Sequence, residues 1–260
     1  MIVEFIKYLL STASPVVKKA GYLHEAIAIE SRYKRAKESW QSHIDHTWNQ
    51  IISVIEDQDK FDSVIVAGAG SLHDIPVDFL ANKYNKVTLI DIVFTYRARK
   101  IAKRYSNIEL YLCDLSGIQE PEKLLEPDIT LPVIGVPHLP EVLKKPDLFL
   151  SVNLLSQLAV TPRICIEKHG LHKEHEIDQW CNQLLKNQIL FMKKFHCPVF
   201  IISDFAQNVY DKNGGLLQHN DMLYHCNLPG KKAEWLWEIA PSGELKRGYQ
   251  IRAEVGCWLW

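Results

Sequence analysis

Three short runs carry residues whose types and positions suit binding of a small molecule that bears both charge and hydroxyl groups. The first is Gly68-Ala69-Gly70, directly behind the β-branched run Ser63-Val64-Ile65-Val66-Ala67. Small residues there let the backbone approach a ligand closely, and a helix start beyond them favours an anionic group. The second is Asp91, about twenty residues further on, where a carboxylate can accept both hydroxyls of a ribose. It closes the run Lys86-Val87-Thr88-Leu89-Ile90-Asp91. The third is Asp114, just beyond Ile108-Glu109-Leu110-Tyr111-Leu112. Asn153, in Ser151-Val152-Asn153-Leu154, adds an amide that could order backbone or bind a polar group. Each also has an ordinary structural reading: turn glycines, a helix cap at Asp91, a turn aspartate at Asp114, and local capping by Asn153. Two acids at successive strand ends are more informative together than either alone.

Other constellations carry less. His169, His172 and His175 are spaced by three, but no carboxylate–histidine signature accompanies them and Lys168 and Lys173 crowd them. A solvated helix start explains them, and no metal is expected. Arg97, Arg99, Lys100, Lys103 and Arg104 read as an exposed charged face, with nucleic acid an improbable partner. The six cysteines (Cys113, Cys165, Cys181, Cys197, Cys226, Cys257) include no C-x-x-C pair, which fits a reducing cytoplasm. There is no Walker A lysine loop and no G-x-S-x-G elbow. Trp40, His43, His46 and Trp48 lie near the N-terminus. Aromatic residues at helical spacing usually pack, yet His43 is also a candidate general base.

The elements that must position these residues are legible in the alternation of patterns. The 260 residues are 47% hydrophobic and 23% charged with a formal charge of -1, so neither disorder nor a strong field toward nucleic acid is expected. Glu4 and Lys7 interrupt the apolar N-terminus, and no run approaches a membrane span of about 20 residues. Up to about residue 57 the pattern is helical, with Ser14-Pro15 as a start signal. Ile44, Trp48, Ile51, Ile52 and Ile55 form an apolar stripe there. From Ser63, strand and helix alternate through the runs already named, then Pro146–Ser151 and Val199–Ser203. That order predicts a doubly wound parallel sheet. A proline-punctuated stretch separates Ser116 from Lys145, and a further helix spans Lys173 to Phe195. Glu234–Ile239 and Tyr249–Val255 alternate about Pro241-Ser242-Gly243, a β-hairpin signature.

Strand–helix units followed by a terminal antiparallel hairpin resemble the class I S-adenosylmethionine-dependent methyltransferases, over about Ser63 to Trp260. Residues Gly68-Ala69-Gly70-Ser71-Leu72-His73-Asp74-Ile75-Pro76 also look like a bacterial methyltransferase-like group. The resemblance implies an α/β, Rossmann-like sheet of seven strands, with the last antiparallel. It implies S-adenosylmethionine as cofactor, with Gly68, Ala69 and Gly70 around its methionine part and Asp91 on its ribose. Asp114 would meet the adenine amino group, and Asn153, with His43 a candidate catalytic residue, would face both the sulfonium and the substrate. The chain departs from the pattern where Val66 replaces an acidic residue and Leu72 replaces a third glycine. The methionine ammonium then needs Asp74 or a carbonyl as partner.

The expected organisation is a helical extension or lid over residues 1–60 and a methyltransferase-like domain over 61–260. The expected activity is methyl transfer to a small-molecule acceptor in the cytoplasm, with no membrane partner and with a homodimer left open. Trp40 and His43 would help enclose the acceptor, on the flank opposite the apolar stripe. Two rival readings share the glycine loop and Asp91: a methyltransferase-fold protein that only binds cofactor or scaffolds, and an NAD-linked oxidoreductase.

Overall fold

The computed structural model describes residues 13–126, 130–143, 145–245 and 248–260. Among the described residues the first elements are α1 (Pro15–Ala20), α2 (Tyr22–Arg35) and α3 (Lys37–Glu56). Ser14 caps α1 as its sequence suggests, its hydroxyl accepting the Val17 N–H at 3.3 Å with Pro15 in the first turn. Residues 1–12, which hold the Glu4 and Lys7 reading, lie outside the described residues.

The sheet has eight strands. β1 (Ser63–Ala67), β2 (Lys86–Asp91), β3 (Ile108–Leu112), β4 (Leu148–Val152) and the long β5 (Val199–Tyr210) run parallel where they pair. β6 (Leu216–Asp221) is a hairpin arm on β5, and β7 (Lys231–Ala240) and β8 (Gln250–Leu259) complete the set. The order is β3-β2-β1-β4-β5-β8-β7 with β6 beside β5. β8 is antiparallel to both β5 and β7, so the last strand is inserted within the sheet. The expected seven-stranded arrangement is therefore present, with β6 as an addition.

Buried strands alternate between two apolar layers. Ile65 and Ala67 of β1 face one layer, while Val64 and Val66 face the other. The first layer is covered by α7 (Val160–His169) and α8 (Glu174–Met192). The second is covered by α3, α4 (Val77–Lys83) and part of α5 (Tyr96–Ala102). α6 (Leu154–Gln157) leads from β4 into the first layer. The described residues of the proline-rich connection after β3 include no α-helix, but they are packed. Leu124, Leu139 and Leu143 are buried, and the Trp180 indole N–H donates to the Pro132 carbonyl at 2.8 Å.

The buried face of α3 is turned relative to the expected stripe. Trp40, His43, Ile44, Thr47, Ile51, Val54 and Ile55 are buried, whereas Trp48 is 38% exposed. Trp40 and His43 thus share the packed face with Ile44 and are not on an opposite flank. The cause is β7, which meets α3 with Trp235, Trp237 and Ile239. The Trp40 indole N–H donates to the Ile239 carbonyl at 2.9 Å, and the Trp40 ring meets Trp237 edge-on. No described helix is long and apolar enough to cross a membrane.

Candidate functional site

Strand order reverses between β1 and β4, and in open α/β sheets such a switch point leaves a crevice at the carboxyl edge. A cavity of about 420 Å³ lies there, roofed by α2 and the start of α3. That volume is in the range of sites for small molecules.

Gly68 and Gly70 border the cavity, while Ala69 is buried in the apolar layer behind it. Gly68 has φ +84°, and a Cβ there would sit 2.3 Å from the Val152 carbonyl oxygen. The need for glycine at this position comes from the neighbouring strand end, before any ligand is considered. Leu72, in place of the third glycine, has φ +59°, a conformation that glycine adopts without strain. Its side chain is buried, so apolar packing holds it there.

Asp91 caps no helix, since Thr95 caps α5. Its Oδ2 accepts the Gly70 N–H at 2.8 Å and its Oδ1 accepts the Val93 N–H at 3.1 Å. The carboxylate thereby fixes the glycine turn, and each oxygen keeps a further acceptor direction. Burial lifts its pKa to about 6, against the lowering effect of the backbone N–H bonds and with a smaller push from Asp74. Asp114 accepts the Ser116 N–H at 2.8 Å, the turn its residue type suggests, and borders the cavity while exposed.

Asn153 has φ +49° and makes no side-chain cap on α6. Its amide N–H instead donates to Asp74 Oδ2 at 2.5 Å, and its Oδ1 is buried without a partner. Burial raises the Asp74 pKa, opposed by that bond. Val66, by contrast, is enclosed in the apolar layer with Trp40 and Ile44, where a carboxylate would lack any solvation.

His43 is 1% exposed, stacked on Trp237 with centroids 4.1 Å apart, and accepts the Trp235 indole N–H on Nδ1 at 3.1 Å. An indole nitrogen only donates, so Nδ1 is the unprotonated nitrogen and Nε2 carries the hydrogen. Burial, with His46 nearby, pushes the pKa down to about 3. The ring is a neutral N–H donor, which corrects its candidacy as general base. Its resonances in a pH titration by NMR should stay those of neutral imidazole from pH 8 to 4. A midpoint near the ordinary histidine value would overturn this tautomer. Because the folded pKa lies below the unfolded one, this residue's contribution to stability is lost as pH falls from about 6.5 toward 3.

His169, His172 and His175 lie where α7 passes into α8, and no described group of three His, Cys, Asp or Glu side chains is placed to hold a metal. Sequence reasoning missed the contributions of α2 and β7: Tyr22, Glu25 and Arg32 from the helix, and Trp237 from the strand. Nothing in their types marks them, because only the sheet order brings them to the crevice.

No family model matches the chain, and no curated protein does. Among solved structures, the chain is similar to the "DhpI-SAM-HEP complex" at 10% identity and a TM-score of 0.41, covering 95% of this chain and 99% of that one. It is similar to the methyltransferase domain of bacterial CtHen1-CN at 10% identity and a TM-score of 0.38, covering 82% and 96%. It is also similar to the N-methyltransferase NodS from Bradyrhizobium japonicum WM9, at 10% identity and a TM-score of 0.36, covering 80% and 92%.

Proposed function

We propose that this chain binds S-adenosylmethionine at the carboxyl edge of β1, β2 and β3 and transfers its methyl group to a small-molecule acceptor under α2 and α3. One observation carries the reading: Gly68, Gly70, Asp91, Asp114 and Asn153 border a single cavity at the switch point of a sheet with an inserted antiparallel strand. The bound cofactor supplies an electrophilic methyl on a sulfonium. The remaining work belongs to the protein. Asp91 uses its free acceptor directions for the ribose hydroxyls, and Asp114 takes the adenine amino group. The ammonium goes to the Asp74–Asn153 pair, whose partnerless Oδ1 and neighbouring carboxyl fit a multiple donor. That pair replaces the acidic residue missing at Val66. α2 and α3 exclude water and hold the acceptor in line, which lowers the barrier by orientation. His43 keeps its proton, so it removes none from the acceptor.

His73 speaks against the oxidoreductase reading. In a dinucleotide fingerprint this position is a glycine that lets helix and strand approach, whereas His73 is buried against Tyr33 with centroids 3.9 Å apart. Titration calorimetry with S-adenosylmethionine, S-adenosylhomocysteine and NAD tests the proposal. Both adenosyl ligands should bind and NAD should not. NAD binding alone, or no binding of either adenosyl compound, rejects it; binding without any methyl transfer across an acceptor panel favours the non-catalytic rival.

The raised Asp91 pKa adds a pH signature. The ionised carboxylate is the better acceptor for hydroxyls, and protonation competes with binding below pH 6. Affinity for S-adenosylhomocysteine should fall about tenfold between pH 7 and pH 5, one pKa unit being a factor of ten. Without ligand the sign reverses: a carboxyl raised above its unfolded pKa destabilises the fold as pH rises from about 4 through 6. A flat affinity profile over pH 5 to 7 would remove Asp91 from the site.

A further inference from the structure

The cavity is polarised. Asp91 and Asp114 lie on the β2–β3 side of the switch point, whereas Trp237 of β7, Ile251 of β8 and Gln207 of β5 lie on the other. α2 crosses above both ends. Tyr22, at its start, stands close enough to Asp114 for that carboxylate to raise its hydroxyl pKa, secondary to burial. Arg32 also borders the cavity, ten residues further along the helix and one turn before the joint at Ala36. At about 1.5 Å per residue, the guanidinium is rooted about 15 Å from the acidic end.

At the Arg32 end the wall carries two buried donors. The Trp237 indole nitrogen and His43 Nε2 are both buried without a protein partner, and both rings border the cavity. Their positions are fixed from behind: Trp235 holds His43 through Nδ1, and Trp40, anchored on the Ile239 carbonyl, packs edge-on against Trp237. A buried donor without a partner bears its full desolvation cost, so two of them side by side mark a place where an acceptor is meant to arrive. Neither group can accept a hydrogen bond as it stands, since His43 has spent its only lone pair on Trp235. A ligand cation or amine gains nothing from these two groups. Ile44, Ile239 and Ile251 add apolar surface beside them.

We infer that this end of the cavity binds an oxyanion, a carboxylate or equivalent acid group, carried on an apolar body by the methyl acceptor. His43 and Trp237 donate to that group, Arg32 supplies the countercharge, and the isoleucines hold the apolar body. The inference rests on the reading of the opposite end as the cofactor site. It gives the substrate class that reading left open.

The test uses the full chain with saturating S-adenosylhomocysteine. Acetate, hexanoate and benzoate are titrated against the matching amides and against benzylamine, with the indole N–H resonances followed by NMR. Trp237→Phe assigns the relevant resonance. At least one carboxylate should bind about tenfold or more tightly than its amide and move the Trp237 resonance, and benzylamine should not bind. Trp237→Phe keeps an aromatic wall but removes the donor, so it should lower carboxylate affinity about tenfold. Arg32→Gln, on α2 at the same end of the cavity, should do the same. Amides or benzylamine binding as well as the carboxylates, an unmoved Trp237 resonance, or unchanged affinity in both variants overturns the inference. S-adenosylhomocysteine failing to bind instead rejects the cofactor reading, and the carboxylate titrations on the unliganded protein still decide the donor site.

Discussion

Asp91→Ala should weaken S-adenosylhomocysteine binding by about 2–4 kcal/mol, taking about 1.5–3 kcal/mol for each charged hydrogen bond and allowing for non-additivity. The fold should suffer far less, for a reason visible in the same side chain. Removing the carboxylate strands the Gly70 and Val93 N–H groups, at about 1–3 kcal/mol each if they stay buried. It also removes a buried acid that is ionised at pH 7 although its pKa is lifted to about 6. Relieving about two units of unfavourable shift returns about 3 kcal/mol. The two effects oppose each other, so the melting temperature should move by only a few degrees while affinity falls by orders of magnitude. Asp91→Asn keeps one carbonyl acceptor and should lie between the two. A folded Asp91→Ala protein with unaltered affinity would falsify the assignment.

Gly68→Val should behave in the opposite way, failing in the fold before binding can be measured. A side chain at φ +84° costs about 1–2 kcal/mol in backbone strain. The Cβ would then lie 2.3 Å from the Val152 carbonyl oxygen and 2.9 Å from the Leu154 Cβ. That carbonyl cannot easily retreat, because Val152 is paired with Ile202 and the next N–H, of Asn153, donates to the Ile202 carbonyl. Overpacking adds about 1–3 kcal/mol, and the branched side chain adds more. The total approaches the lower end of the 5–15 kcal/mol by which domains are stable, so little soluble protein is expected. Gly68→Ala is the measurable version, with an unfolding free energy lowered by about 2–4 kcal/mol and a denaturation midpoint lowered accordingly. A midpoint equal to that of the parent chain would mean the turn is not as described.

Such contrasts show where the sequence is legible. Ser63–Ala67 and Lys86–Asp91 stand out because strands buried on both faces must be continuously apolar or β-branched, and glycine or aspartate ends them. β6 is different. Leu216-Leu217-Gln218-His219-Asn220-Asp221 has no core-facing alternation, and it exists because β5 runs on past the end of β4 and offers an edge on that side. The turn before it, Asn213-Gly214-Gly215, is closed by Asp211, whose carboxylate accepts the Asn213 and Gly215 N–H groups. Within the site, Asp91 and Asn153 could be singled out because they follow strands directly. Their partners could not. The Asp91–Gly70 and Asn153–Asp74 bonds join positions 21 and 79 residues apart, and the second depends on β1 and β4 being neighbours. His43 illustrates the same limit: its type suggests a base, and only Trp235, 192 residues away, sets its tautomer.

The inserted strand has a consequence for the order in which the molecule is made. β1 to β4 are complete within the first 152 residues, so the crevice with Gly68, Asp91 and Asn153 can assemble while the rest of the chain is still being synthesised. β8 lies between β5 and β7, and the wall that holds Trp237 and Ile251 cannot close until residues 250–259 have slotted between strands already made. Pairings so distant in sequence form slowly. Until they do, the long edge of β5 is bare, an invitation to pair with another copy. A chain halted before residue 250 should therefore keep one half of the pocket with an open sheet edge, and should associate with itself more readily than the full chain does.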